Sequence, residues 1–72
     1  MNINIRKASH IEIAHSPGGG YQVQFISSNG RRMGRPGVAT TRHEAIEIAS
    51  DWANQISRHS GYIMAVIETK GN

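Results

Sequence analysis

The chain reads as an α+β fold, an antiparallel sheet of three to five strands with one amphipathic helix packed on one face. Three observations predict it. Short early segments alternate apolar and polar residues with a period of two. Residues 42–58 repeat apolar residues with a helical period behind a capping signal. A closing apolar run, Tyr62-Ile63-Met64-Ala65-Val66-Ile67, follows that helix. The order is therefore strands, helix, strand.

In chain order, Ile3 and Ile5 alternate with polar neighbours, and so do Ile11 and Ile13. Arg6-Lys7-Ala8-Ser9 between them fits either a turn joining two strands or a bend in one, because all four isoleucines share odd parity. Ser16-Pro17-Gly18-Gly19-Gly20 breaks the pattern as a hairpin loop. These glycines lead into a strand, not into the helix N-terminus that a phosphate cradle needs. Tyr21-Gln22-Val23-Gln24-Phe25 then alternates strictly. Asn29-Gly30 is the strongest short hairpin signal, because both turn residues tolerate positive φ. The return strand starts at Arg31 and is expected to fade by Pro36, which cannot donate to a ladder.

Thr41-Arg42-His43-Glu44 matches a capping box, with Thr41 as N-cap and Glu44 at N3. At 100° per residue, Ala45, Ile46, Ile48, Ala49, Trp52, Ala53 and Ile56 fill one arc of about 160°. Ser60-Gly61 ends the helix. The closing run is apolar on both parities, which points to a strand inside the sheet. Trp52 is the expected centre of the core, and Lys70-Gly71-Asn72 a frayed tail.

The 72 residues form a single domain, residues 1–72, without cysteine. A chain near this size buries only about 60–70% of the surface its unfolded state exposes. Disulfides and thiolate-metal sites are excluded as supports, leaving good local structure or self-association. Met1-Asn2-Ile3-Asn4-Ile5-Arg6-Lys7 lacks the apolar run of a signal peptide, and no stretch is long enough to span a bilayer. The expectation is a soluble cytoplasmic protein that does not contact membranes.

Eight Lys and Arg against five Asp and Glu give a net charge of +3. Such a balance favours anionic partners. Three of the cations, Arg31, Arg32 and Arg35, fall beside the predicted hairpin. Guanidinium groups held on a ribbon can meet phosphates or carboxylates through paired hydrogen bonds. The same arginines also suit an edge strand guarded against aggregation. Arg6 and Lys7 are further candidate partner-binding residues. Glu44, Glu47 and Asp51 form an acidic stripe on the polar side of the helix, a possible second surface for a basic partner or another copy of the chain.

Catalytic and cofactor signals are lacking. There is no nucleophile elbow and no paired-carboxylate motif, so an enzyme is not expected. His43 and Glu47 lie one helical turn apart, but no third ligand has metal-site spacing. No cofactor is expected.

Gly34-Arg35-Pro36 resembles part of an AT-hook, although Met33 stands where that motif has its first arginine. The run Gly20-Tyr21-Gln22-Val23-Gln24-Phe25, then Asn29-Gly30-Arg31, then Thr41-Arg42-His43-Glu44-Ala45 resembles AP2 and phage-integrase arm-binding domains. Those families set a three-stranded sheet on DNA with a helix behind it. A strand after the helix departs from that pattern. Pro17-Gly18, Tyr21-Gln22-Val23, Gly30-Arg31, Ala45, Ala49, Ala53 and Tyr62-Ile63 together resemble the layout of small phage anti-CRISPR proteins. That resemblance implies a non-enzymatic, phage-encoded inhibitor in the host cytoplasm, docking on a host protein or nucleoprotein complex. The alternatives are a DNA-binding sheet module and a self-associating assembly protein, a possible homodimer.

Overall fold

The computed structural model describes residues 8–69. The isoleucines at 3 and 5, the cations Arg6 and Lys7, and the tail from Lys70 lie outside the described residues. Four strands and one helix follow in order: β1 (Ala8–His15), β2 (Tyr21–Ser27), β3 (Arg32–Ala39), α1 (Arg42–Ser60) and β4 (Ala65–Glu68). They build one sheet, ordered β3-β2-β1-β4, with α1 packed on one face. The α+β class and the strands, helix, strand order are as the sequence predicts.

The sheet is mixed, not wholly antiparallel. β1 pairs antiparallel with β2, and β2 with β3, but β4 runs parallel to β1, with His10 opposite Ala65 and Ile13 opposite Glu68. The helix causes this. A chain that leaves the far edge of the sheet along β3 and returns through a long helix re-enters in the direction of β3, which is also that of β1.

Both hairpins close by the same device. Ser16 N–H donates to Gly20 C=O and Gly19 N–H to Ser16 C=O; likewise Ser27 N–H donates to Arg31 C=O and Gly30 N–H to Ser27 C=O. Each is a three-residue loop whose last residue, Gly19 or Gly30, lies at positive φ. Asn29 is not at positive φ, so the expected two-residue turn gives way to residues 28–30. The Asn29 side chain explains the preference: its Oδ1 accepts from the Ser27 hydroxyl and from Arg31 N–H, which suits a turn that Gly30 closes.

Pro36 does not end β3. The register steps from Val23 opposite Gly37 to Phe25 opposite Met33, leaving Gly34, Arg35 and Pro36 bulged out opposite Gln24 alone. β3 is an edge strand, where a bulge accommodates a residue without an N–H. A second irregularity, at Ser9, turns Ala8 onto the same face as Ile11 and Ile13.

The core lies between α1 and the odd-numbered residues of β1 and β2. Ile11, Ile13 and Val23 are fully buried, joined by Phe25, Ala45, Ala49, Ile56 and Met64. The other members of the predicted helix stripe, Ile46, Ile48, Trp52 and Ala53, are partly buried against this cluster. Trp52 is therefore not the centre. It covers the β3 flank, its ring 4.9 Å from that of Phe25 and nearly parallel to it. Gly37 makes room for it, since a Cβ there would lie 3.2 Å from the indole.

α1 starts at the predicted cap. Thr41 is extended, and its hydroxyl accepts from Glu44 N–H at 3.1 Å. The helix runs two residues beyond the expected end, to Ser60, and Gly61 caps it by donating to Ser57 C=O. The apolar run after it is not an interior strand. Residues 61–64 are a connector whose Met64 plugs the core, and β4 is four residues long, exposed, and on the sheet edge. No helix among the described residues is long and apolar enough to cross a membrane.

Candidate functional site

The arginine-bearing hairpin is built as a braced edge. Gln24 is the buried polar side chain beneath it. Its amide donates to the carbonyls of Met33 and Gly34, the two residues that enter the β3 bulge. A buried amide costs free energy unless hydrogen-bonded, and a bulge leaves carbonyls without ladder partners. Each deficit satisfies the other. The result is a fixed bulge with Arg35 on its crest and Pro36 stiffening its exit.

The three arginines do not act as one cluster. Arg32 points to the sheet face away from α1, where its guanidinium stands 3.9 Å from the Glu12 carboxylate. Met33, between the arginines, faces the core. Arg31 and Arg35 are exposed. All five acidic side chains of the chain lie among the described residues, and neither Arg31 nor Arg35 is within ion-pair distance of any of them.

The acids are engaged elsewhere. Glu44 accepts from the hydroxyls of Thr40 and Thr41, Glu47 lies 3.3 Å from the His43 imidazole, and Asp51 accepts from Gln55. Glu44, Glu47 and Asp51 lie exposed along α1, each with a local partner. No three His, Asp or Glu side chains among the described residues converge as a metal site would require.

A further polar group escapes the linear sequence because four elements supply it. At the end of the sheet beside the helix N-terminus, His15 packs against Tyr21, ring centroids 4.6 Å apart. There the Arg42 guanidinium grips the Glu68 carboxylate side-on, with Nε 2.8 Å from Oε2 and NH2 2.8 Å from Oε1. This pair ties the first turn of α1 to β4. Arg42, the one cation intruding on the apolar arc of the helical wheel, was the available signal.

Arg42 holds the Glu68 carboxyl below the ordinary carboxylate range, mainly through the hydrogen bond and then by charge. The Thr40 hydroxyl does the same for Glu44. A carboxyl whose folded pKa is depressed stabilises the fold above its unfolded value, about 4.3, and that contribution disappears as pH falls through the folded value. Glu68→Gln is therefore expected to lower the urea midpoint at pH 7 and to converge on the parent protein toward pH 3. A gap that stays constant with pH would show that the charge of Glu68 plays no part.

No protein-family model matches this chain, and neither the curated proteins nor the solved structures contain a match to it.

Proposed function

We propose that this chain is a non-enzymatic binding protein that docks through the β2–β3 hairpin on an anionic surface of a host protein or nucleoprotein complex, as a phage-encoded inhibitor would. The observation that supports this most is that Arg31 and Arg35 have no acidic partner among the described residues, Arg35 on the bulge that Gln24 braces and Arg31 in a turn where its N–H donates to Asn29 Oδ1. Guanidinium groups already positioned lose less freedom on binding than groups on a loose loop. Charged rim residues of this kind set encounter rate and orientation.

The test is affinity capture from host lysate, with the parent protein and the triple variant Arg31→Ala, Arg32→Ala, Arg35→Ala as baits. A defined partner is expected to be retained at least about tenfold less by the variant, a loss of about 1.4 kcal/mol, with the circular dichroism spectrum unchanged. Equal retention by a folded variant would refute the role of the hairpin.

A DNA-binding sheet module is the second reading, favoured by the antiparallel β1-β2-β3 unit with α1 behind it. Glu12 sits on the face such a module would lay on DNA, which weighs against it. A gel shift with a 20-bp duplex separates the two. A complex at about 50 mM salt that is lost by 200 mM supports the DNA module, and no complex at either salt removes it.

A further inference from the structure

The two edges of the sheet are built differently. The β3 edge carries Pro36, a bulge and three arginines, the devices by which natural sheets refuse a further strand. The β4 edge has none of these. It has no proline, no bulge, and only one charge, on Glu68, which Arg42 already matches. Apolar side chains crowd it: Val66 is 40% exposed, Ile67 46% and Ile63 86%.

Its backbone is poised to pair. Thr69 N–H donates to Ile13 C=O, so with Ile13 opposite Glu68 the odd residues of β4 turn their N–H and C=O toward β1. By alternation, Val66 and Glu68 turn theirs outward.

The flank of α1 above this edge is equally suited to contact. The helical wheel places Arg42, His43, Ile46, Ser50, Ala53 and Ser57 on the β4 side. Arg42 is paired with Glu68, and small residues follow along the helix. Charge is depleted at the core of protein interfaces, and beyond the first turn Ile46, Ser50, Ala53 and Ser57 carry none. The acidic stripe and the exposed Arg31 and Arg35 lie elsewhere.

We propose that two copies of this chain join through β4 about a two-fold axis at Val66, antiparallel, into one continuous eight-stranded sheet. In this register Val66 faces Val66 of the second copy, Met64 faces Glu68, and Ala65 faces Ile67. The outward backbone groups of Val66 pair with those of Val66 in the second copy, those of Glu68 come opposite the residue that leads into β4, and the exposed valine and isoleucine are covered. A second copy is the fitting occupant because the edge is self-complementary: the same apolar strip, its one charge already paired with Arg42, meets itself in an isologous contact. Size agrees. α1, 19 residues, is about 28 Å long, and the molecule is 20 Å across its shortest extent. These two lengths cap the flank at about 550 Å² per copy, so a total of up to about 1,100 Å² lies at the lower end of specific interfaces. The arginine hairpins then lie at the two outer ends of the assembly.

Because the chain has no cysteine, a single one introduced reports the contact. Cα atoms of a hydrogen-bonded antiparallel pair lie about 5.5 Å apart, within disulfide range. Val66→Cys is expected to form a covalent dimer under mild oxidation at least about tenfold faster than Val38→Cys, a residue 72% exposed on the β3 edge. Sedimentation of the parent protein between 1 and 500 µM should show a monomer–dimer equilibrium, and Val66→Lys should raise its dissociation constant at least tenfold while keeping the circular dichroism spectrum. Equal cross-linking at the two positions, or a monomer throughout the concentration range, would overturn the proposal. Should Val66→Lys fail to fold, the cross-linking comparison and the parent sedimentation still decide it.

Discussion

Gly20→Ala is expected to destabilise the domain by about 3 kcal/mol, the upper end of the cost of a strained backbone position. Gly20 sits at φ 75°, and a Cβ there would stand 2.6 Å from Ala39 C=O, where the end of β3 closes over the start of β2. Strain and collision act together, and the atom that would have to move is backbone. For a domain of this size each kcal/mol lowers the melting temperature by about 4–8 °C, so a drop of more than about 12 °C is expected. Two neighbours separate the causes. Gly19 shares the positive φ but has open space around it, so Gly19→Ala isolates the strain. Gly18 has neither feature, and Gly18→Ala should be close to neutral. Thermal melts that rank Gly19→Ala level with Gly20→Ala would dismiss the collision.

The second large effect is expected at Ile11. Its side chain is fully buried in β1, next to Phe25 of β2 and Val66 of β4. Removing an isoleucine side chain from such a position costs about 2–5 kcal/mol, because the surrounding strands cannot collapse fully into the gap. A 72-residue domain has a total stability of about 4–11 kcal/mol. Ile11→Ala should therefore leave a substantial part of the population unfolded at 37 °C, read as a fall in urea midpoint. Val38→Ala, at a residue 72% exposed, should change it by less than about 1 kcal/mol. Similar losses at both positions would mean that the core is not where the helix meets β1 and β2.

Much of this arrangement was legible in the sequence, for identifiable reasons. Thr41 and Glu44 marked the start of α1 because capping is a local exchange of hydrogen bonds. The alternation of Ile11 and Ile13, and of Val23 and Phe25, marked the buried face because strand side chains alternate whatever the topology. What stayed hidden depends on residues distant in the chain. The direction of β4 follows from where the helix returns. Tyr62 and Ile63 look like the start of a buried strand, but the chain needs residues 61–64 to travel from the helix cap back to the sheet. Pro36 looked like an ending because its missing N–H is a local fact, whereas the Gln24 amide that steadies the bulge lies on another strand. Of the candidate site, the arginines themselves were readable. The Glu12 partner of Arg32 and the grouping of His15, Tyr21, Arg42 and Glu68 were not, since each needs the sheet to bring strands together.

The parallel pairing of β1 with β4 fixes the order in which the fold can close. β1, β2 and β3 meet through three-residue loops, so they can pair as soon as each emerges from the ribosome. Thr69 and Ile13 are 56 positions apart, and their contact waits for the whole of α1. Until then one edge of β1 stands open, with the Ile13 C=O turned to water. In the finished protein the Thr69 amide, which donates to Ile13 C=O, reports on the pairing of β4 with β1: it should lose its deuterium protection whenever the last strand lifts away, while the amides shared by β1 and β2 stay closed.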